Sequence, residues 1–165
     1  MSRTLILTRH AKSSWDDPLQ PDHARPLNKR GRTAARALGG WLETQGYLPQ
    51  ELLCSSAART RETWARMRLL PQEQRYEDSL YLAGPDTLLQ VLHTAQAATV
   101  MLIAHNPGIA TLASLLASTT PKHPRFFDYP TGATTVFQFD QATWGDVRFG
   151  TGQVIDFIVP KEIDT

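Results

Sequence analysis

Three short apolar runs limit what this chain can fold into. TLILT (Thr4 to Thr8), ELLCS (Glu51 to Ser55) and TVMLIA (Thr99 to Ala104) are short runs bounded by polar residues. None alternates apolar with polar residues as a strand with one wet face does, so each reads as a strand buried on both faces. Such strands belong to parallel sheets covered by helices on either side. The segments between them carry helical periodicity, and the expected fold is an α/β protein: a three-layer α/β/α sandwich with a mostly parallel central sheet.

The intervening segments have legible boundaries. Asn28 can cap a helix from about Lys29 to Gln45, with Ala34, Leu38, Trp41 and Leu42 at helical spacing and Gly46 as its stop. Gly39-Gly40 weakens that helix locally. A second helix is expected over Ser56 to Met67, a third opens at Pro85 and runs to about Ala97, and Ile109 to Leu116 marks a fourth. Tyr76 to Leu82 is ambiguous. Ser13 to Leu27 and Thr119 to Pro130 are rich in turn formers and read as loops, while Ala133 to Phe139 and Gln153 to Val159 read as late strands. At 165 residues, with no linker and no repeat, residues 1–165 are expected to form one domain.

Charge and composition exclude some classes. Seventeen basic residues against sixteen acidic give a formal net charge of +1, which offers no bulk attraction to nucleic acid. No apolar run approaches the roughly 18–20 residues that span a bilayer, and no signal segment is evident. A cytoplasmic protein without a membrane partner is the expectation. Cys54, the single cysteine, has no partner for an intramolecular disulfide and reads as packing.

Ligands in open α/β sheets bind beyond the carboxyl ends of the strands. At those ends the chain places Arg9-His10, then Ser55 to Arg59, then His105-Asn106. Arginine presents a planar fork of donors that matches phosphate oxygens, and histidine serves as nucleophile or proton carrier near neutral pH. Helix N-termini after the same loops favour a dianion. Each residue alone also reads as an ordinary loop or capping residue; their shared placement is what points to phosphoryl transfer. The other histidines, His23, His93 and His123, lack that placement and read as surface residues. No His-x-x-x-His pair or cysteine cluster suggests a metal, and no glycine loop for a nucleotide or G-x-S-x-G elbow is present.

Read together, RHAKSSW, RPLNKRG, the SSAART turn and AHNPG resemble the histidine phosphatase superfamily, the phosphoglycerate-mutase-like group, and within it the small SixA-type phosphohistidine phosphatases. The resemblance spans nearly the whole chain. It implies that His10 is the nucleophile, that Arg9, Arg59 and His105 bind the phosphoryl oxygens, that Arg25 is a further phosphate contact, and that no cofactor or metal is needed. Ser13 and Asn106 adjoin the motifs and read either as substrate contacts or as structural residues. The implied activity is metal-independent hydrolysis of phosphohistidine on a protein, through a covalent phosphohistidine at His10. Hydrolysis of small phosphomonoesters, or phosphate binding without turnover by a regulatory module, are the alternatives.

Two departures from the superfamily pattern matter. Ala11 stands where many relatives have glycine, so the backbone there must avoid a glycine-only conformation. Larger members also carry an acidic residue in the region that here reads SLYLAG, Ser79 to Gly84, where Leu82 takes its place. Asp78 and Glu77 are the neighbouring candidates for a general acid, or are simply solvated carboxylates. A general acid contributes roughly 10²–10⁴ in rate, and imidazole needs that help less than an alkoxide does. A pocket without the acid therefore favours phosphoramidates. Trp15, Tyr81, Phe126, Phe127 and Tyr129 are read either as a recognition surface or as packing.

Overall fold

The structure, a computed structural model, describes residues 2–163. Six strands form one sheet in the order β3-β2-β4-β1-β5-β6. They are β1 (Arg3–Arg9), β2 (Glu51–Ser55), β3 (Glu73–Glu77), β4 (Thr99–Ala104), β5 (Thr134–Phe139) and β6 (Gln153–Ile158). The pairs β2–β3, β2–β4 and β4–β1 are parallel, whereas β5 runs antiparallel to both β1 and β6. The sheet is thus mostly parallel, as the sequence predicts.

Period-two alternation sorts the strand residues between two helical layers. Leu5, Leu7, Leu53, Val100 and Leu102 pack into a core with α3 (Pro85–Leu92) and α4 (Gly108–Leu116). Ile6, Leu52, Cys54, Met101 and Ile103 face the other way, onto α1 (Lys29–Gln45) and α2 (Ala58–Met67). This is the expected three-layer sandwich. Cys54 lies wholly inside it, and burial pushes its thiol pKa up to about 12.

The differences from the sequence reading have local causes. Helix α2 starts at Ala58 rather than Ser56, because Ser55 Oγ accepts the Ala57 N–H and the Ser56 N–H is drawn to the Glu77 carbonyl. Helix α3 ends at Leu92 rather than near Ala97, because the buried Glu51 carboxylate captures the amides of Gln96 and Ala97. The ambiguous stretch begins within β3, whose sequence EQRYE is polar because it is an edge strand, and continues into a short 3-10 turn, Asp78–Leu80. Phe126 and Tyr129 are fully buried in the core, so neither contributes to a recognition surface; the Tyr129 hydroxyl donates to the Leu7 carbonyl.

Candidate active site

Strands β2, β4 and β1 are consecutive in the sheet, so their carboxyl ends lie side by side. They deliver Ser55, His105 and Arg9-His10 to one edge. The backbone there is fixed by hydrogen bonds: the His10 N–H donates to the Ala104 carbonyl at 3.2 Å, and the Gly132 N–H to the His10 carbonyl at 2.9 Å. Thr63 then joins two motifs, since its hydroxyl accepts the Ala11 N–H at 2.9 Å and donates to the Arg59 carbonyl at 2.7 Å. Behind this loop a Cβ on Gly31 would collide with the Lys12 carbonyl, which accounts for the glycine in RPLNKRG. Ala11 has no positive φ and packs with Leu27 and Ala35, so the departure from glycine is accommodated.

His10 is buried, and its Nδ1 lies 2.7 Å from the Ala11 carbonyl. A carbonyl only accepts, so in the neutral ring Nδ1 carries the hydrogen and Nε2 keeps its lone pair. Burial lowers the His10 pKa to about 3, the neighbouring His105, Arg9 and Arg59 adding to the effect. The ring is therefore neutral at pH 7. His105 lies with its ring centroid 5.2 Å from that of His10, its Nε2 2.8 Å from Ser55 Oγ, and its pKa is likewise pressed down to about 3 by burial and by Arg59.

Two arginines complete the group. Arg9 donates from Nη1 to the Tyr129 carbonyl, and Arg59, 3% exposed, donates to the carbonyl and carboxylate of Asp22. Four buried side-chain polar atoms among the described residues lack a protein partner, and three of them are Arg9 Nε, Arg59 Nε and His105 Nδ1. Buried polar groups are normally paired. Here the orphans gather on the residues that surround His10.

The remaining predicted site residues take other partners. Arg25 is buried and donates to Ser13 Oγ at 2.7 Å, to the Ser14 carbonyl and to Asp22, while the Trp15 ring lies 3.6 Å from its Cζ. Arg25 and Ser13 thus brace the loop and hold Asp22. Asn106 donates to the carbonyls of Asp128 and Tyr129 and accepts the Ala110 N–H, which occupies both ends of its amide. Glu77 lies 3.5 Å from Arg75, and Asp78 accepts from Ser56 Oγ at 2.5 Å.

Sequence reasoning passed over Asp22, which lies at the centre of the arginines. Its carboxylate pairs with Arg25 and Arg59, each at 3.1 Å, and accepts a hydrogen bond from the Tyr81 hydroxyl. The Tyr81 hydrogen bond, with those from Arg59 and Arg25, lowers its pKa to about 2, so it is ionised at neutral pH. Asp22 sits in a loop of turn formers, and nothing in the local pattern marks it. His23 is exposed, as expected, yet its Nε2 lies 3.0 Å from Ser56 Oγ and its ring meets the edge of Tyr81, which places it at the rim of the same site.

A buried neutral histidine with a free Nε2, ringed by cations at the mouth of a parallel sheet, defines a site for an anion and a nucleophile. The model of the histidine phosphatase superfamily (branch 1) matches residues 5–80. A solved structure from Nakamurella multipartitia, assigned provisionally as phosphohistidine phosphatase SixA, superimposes with a TM-score of 0.84 at 30% identity, covering 97% of each chain. A structure from Agrobacterium tumefaciens with the same provisional assignment gives 0.76 at 28% identity, over 96% of this chain and 98% of its own. The chain belongs to the histidine phosphatase superfamily. An uncharacterized protein of Mycobacterium tuberculosis is 32% identical over 160 residues, 93% of this chain and 99% of its own.

Proposed function

We propose that the protein hydrolyses phosphohistidine on a protein substrate, without a metal, through a covalent phosphohistidine at His10. The observation that carries this reading is the set of unpartnered polar atoms on the residues around a neutral His10: the donors Arg9 Nε and Arg59 Nε, and His105 Nδ1, which carries the ring hydrogen when Nε2 accepts from Ser55 Oγ. Donors fixed where charge develops stabilise a transferring phosphoryl group without reorganisation. The likeness to structures assigned as SixA supports the substrate class.

In the first step His10 Nε2 attacks phosphorus, and an N–P bond forms as the bond to the substrate nitrogen breaks. A substrate ring protonated on its far nitrogen leaves as neutral imidazole and needs no proton at the leaving atom. Water then attacks the phosphoryl group on His10, the N–P bond breaks, Nε2 recovers its lone pair, and the water proton passes to phosphate or solvent. Asp22 is ionised and has no proton to give, which suits a leaving group of this kind.

The test is turnover by the metal-free protein of a phosphohistidine peptide and of p-nitrophenyl phosphate, beside His10→Ala. Preferred hydrolysis of the peptide, lost in the variant, with an acid-labile and base-stable phosphoenzyme, is expected. Asp78 at the rim favours a second reading, a phosphatase of small phosphomonoesters. That reading gains if p-nitrophenyl phosphate is preferred and Asp78→Asn removes the preference.

A further inference from the structure

A second cationic feature lies beside the catalytic group and takes no part in it. A cavity of about 550 Å³ is bordered by Lys12, Lys29, Arg30, Arg125 and Lys161, with no acidic residue in its lining. Its floor is largely apolar, formed in part by Ala34, Ala37, Val159 and Pro160. The Asp128 carboxylate partly neutralises Arg125, at 3.0 Å. Among the described residues Lys12, Lys29, Arg30 and Lys161 have no ion-pair partner at all. In a chain whose formal net charge is only +1, this gathers uncompensated charge in one concave place.

The topology fixes where that place is. The start of α1, the segment after β6 and the loop before β5 all lie at the carboxyl edge of β1, the edge that carries His10. Lys12 follows His10 by two residues, so their Cα atoms are at most about 7.6 Å apart. On the other side, Thr131 of the lining adjoins Gly132, whose N–H is held by the His10 carbonyl. An occupant of the cavity therefore lies against the catalytic loop.

We infer that this cavity docks an acidic segment of the phosphoprotein substrate beside the phosphohistidine. The inference rests on the function proposed above. The side chains decide between an acidic polypeptide and a compact phosphate. A phosphate site holds its anion in buried, converging donors, as Arg9 and Arg59 are arranged to do. Here the cations are exposed and spaced around an apolar floor, which fits carboxylates at several points with an apolar side chain between them. Such charge complementarity raises the association rate and selects partners. It also weakens with salt.

The test separates docking from catalysis. A fluorescein-labelled peptide of alternating Glu and Leu, without phosphate, is titrated with the wild-type protein and with K29E/R30E/K161E. Two of those changes put acidic residues in the first turn of α1, which favours the helix, and all three positions are exposed, so the fold is expected to survive. Binding at least tenfold weaker in the variant, and weakened in the wild type by 0.3 M salt, is expected. In turnover, the wild type should prefer a phosphohistidine peptide flanked by Glu and Leu over one flanked by Ser and Gly by about tenfold in kcat/KM. The variant should lose that preference and hydrolyse p-nitrophenyl phosphate within twofold of wild type. Equal peptide binding by the two proteins overturns the inference, as does displacement of the peptide by equimolar inorganic triphosphate. Salt-sensitive peptide binding without any phosphohistidine turnover keeps the docking surface and overturns the reading of the catalytic site.

Discussion

At the scale of the residue, the site is governed by what holds each ring and fork in place. The contact between His10 Nδ1 and the Ala11 carbonyl selects the tautomer, and burial keeps the ring neutral. Since His10, the nucleophile proposed above, loses its lone pair only as pH falls towards about 3, kcat/KM should show no acid limb near pH 6.5 from it. A pH profile corrected for ionisation of the substrate checks this. An inflection at pH 6–7 that persists when His23 and His105 are replaced would contradict it. In the function proposed above Asp22 would compete with an incoming oxyanion for Arg59, while its backbone carbonyl also holds that arginine at 2.8 Å. Asp22→Asn keeps the carbonyl and removes the charge. Inhibition by inorganic phosphate should therefore tighten about twofold to fivefold, the scale of a partly exposed ion pair. Weaker inhibition in the variant would mean that the carboxylate orients Arg59 more than it competes.

At the scale of the element, the adjacent glycines Gly39 and Gly40 of α1 divide. A Cβ on Gly39 would collide with the backbone of Met67 at the end of α2, whereas one on Gly40 meets nothing. Gly39→Ala should separate the two helices and cost several kcal/mol, at or beyond the usual ~1–3 kcal/mol of overpacking. Gly40→Ala should stabilise by about 1 kcal/mol through helix propensity and a less flexible unfolded chain. Urea unfolding of both variants decides it, and equal effects would show that the contact with Met67 is not tight. The sequence reading saw only a weakened helix here, because the close approach belongs to a partner element. The same distinction runs through the molecule. Helix α1 was legible from Asn28 to Gly46, since its cap and stop are local; the Asn28 side chain accepts the Gly31 N–H and Gly46 has φ 79°. His10 and His105 at strand ends, and Arg59 in the first turn of the helix after β2, were legible because apolar runs stop just before them. Asp22, Tyr81 and Thr63 were not, because each acts through residues distant in the chain that only the folded backbone brings close.

At the scale of the whole molecule, keeping two histidines neutral inside the fold carries a stability cost in acid. His10 and His105 titrate near 6.5 when unfolded and at about 3 when folded. Between those values the unfolded chain binds protons that the native chain does not, so stability falls as pH falls. Well below pH 6.5 each histidine contributes about 1.4 kcal/mol per pH unit. The urea midpoint should drop steeply from pH 6.5 to 5, and the drop should shrink in His10→Asn/His105→Asn. An unchanged slope in that double variant would assign the acid sensitivity to other groups. No helix among the described residues is long and apolar enough to cross a membrane.

The order of the strands has one more consequence. Leu7 of β1 lies between Leu102 of β4 and Thr135 of β5, so β1 finds its sheet partners only after β2 and β3 have followed it. On the ribosome TLILT waits as an apolar segment without neighbours, a liability for aggregation until the later strands emerge. The same wait makes the site an all-or-none property. Arg9 and His10 come from β1 and the residue after it, Arg59 from α2 and His105 from the end of β4, so a nascent fragment that stops short of β4 lacks both His105 and the strand that joins β2 to β1 and brings Arg59 to His10.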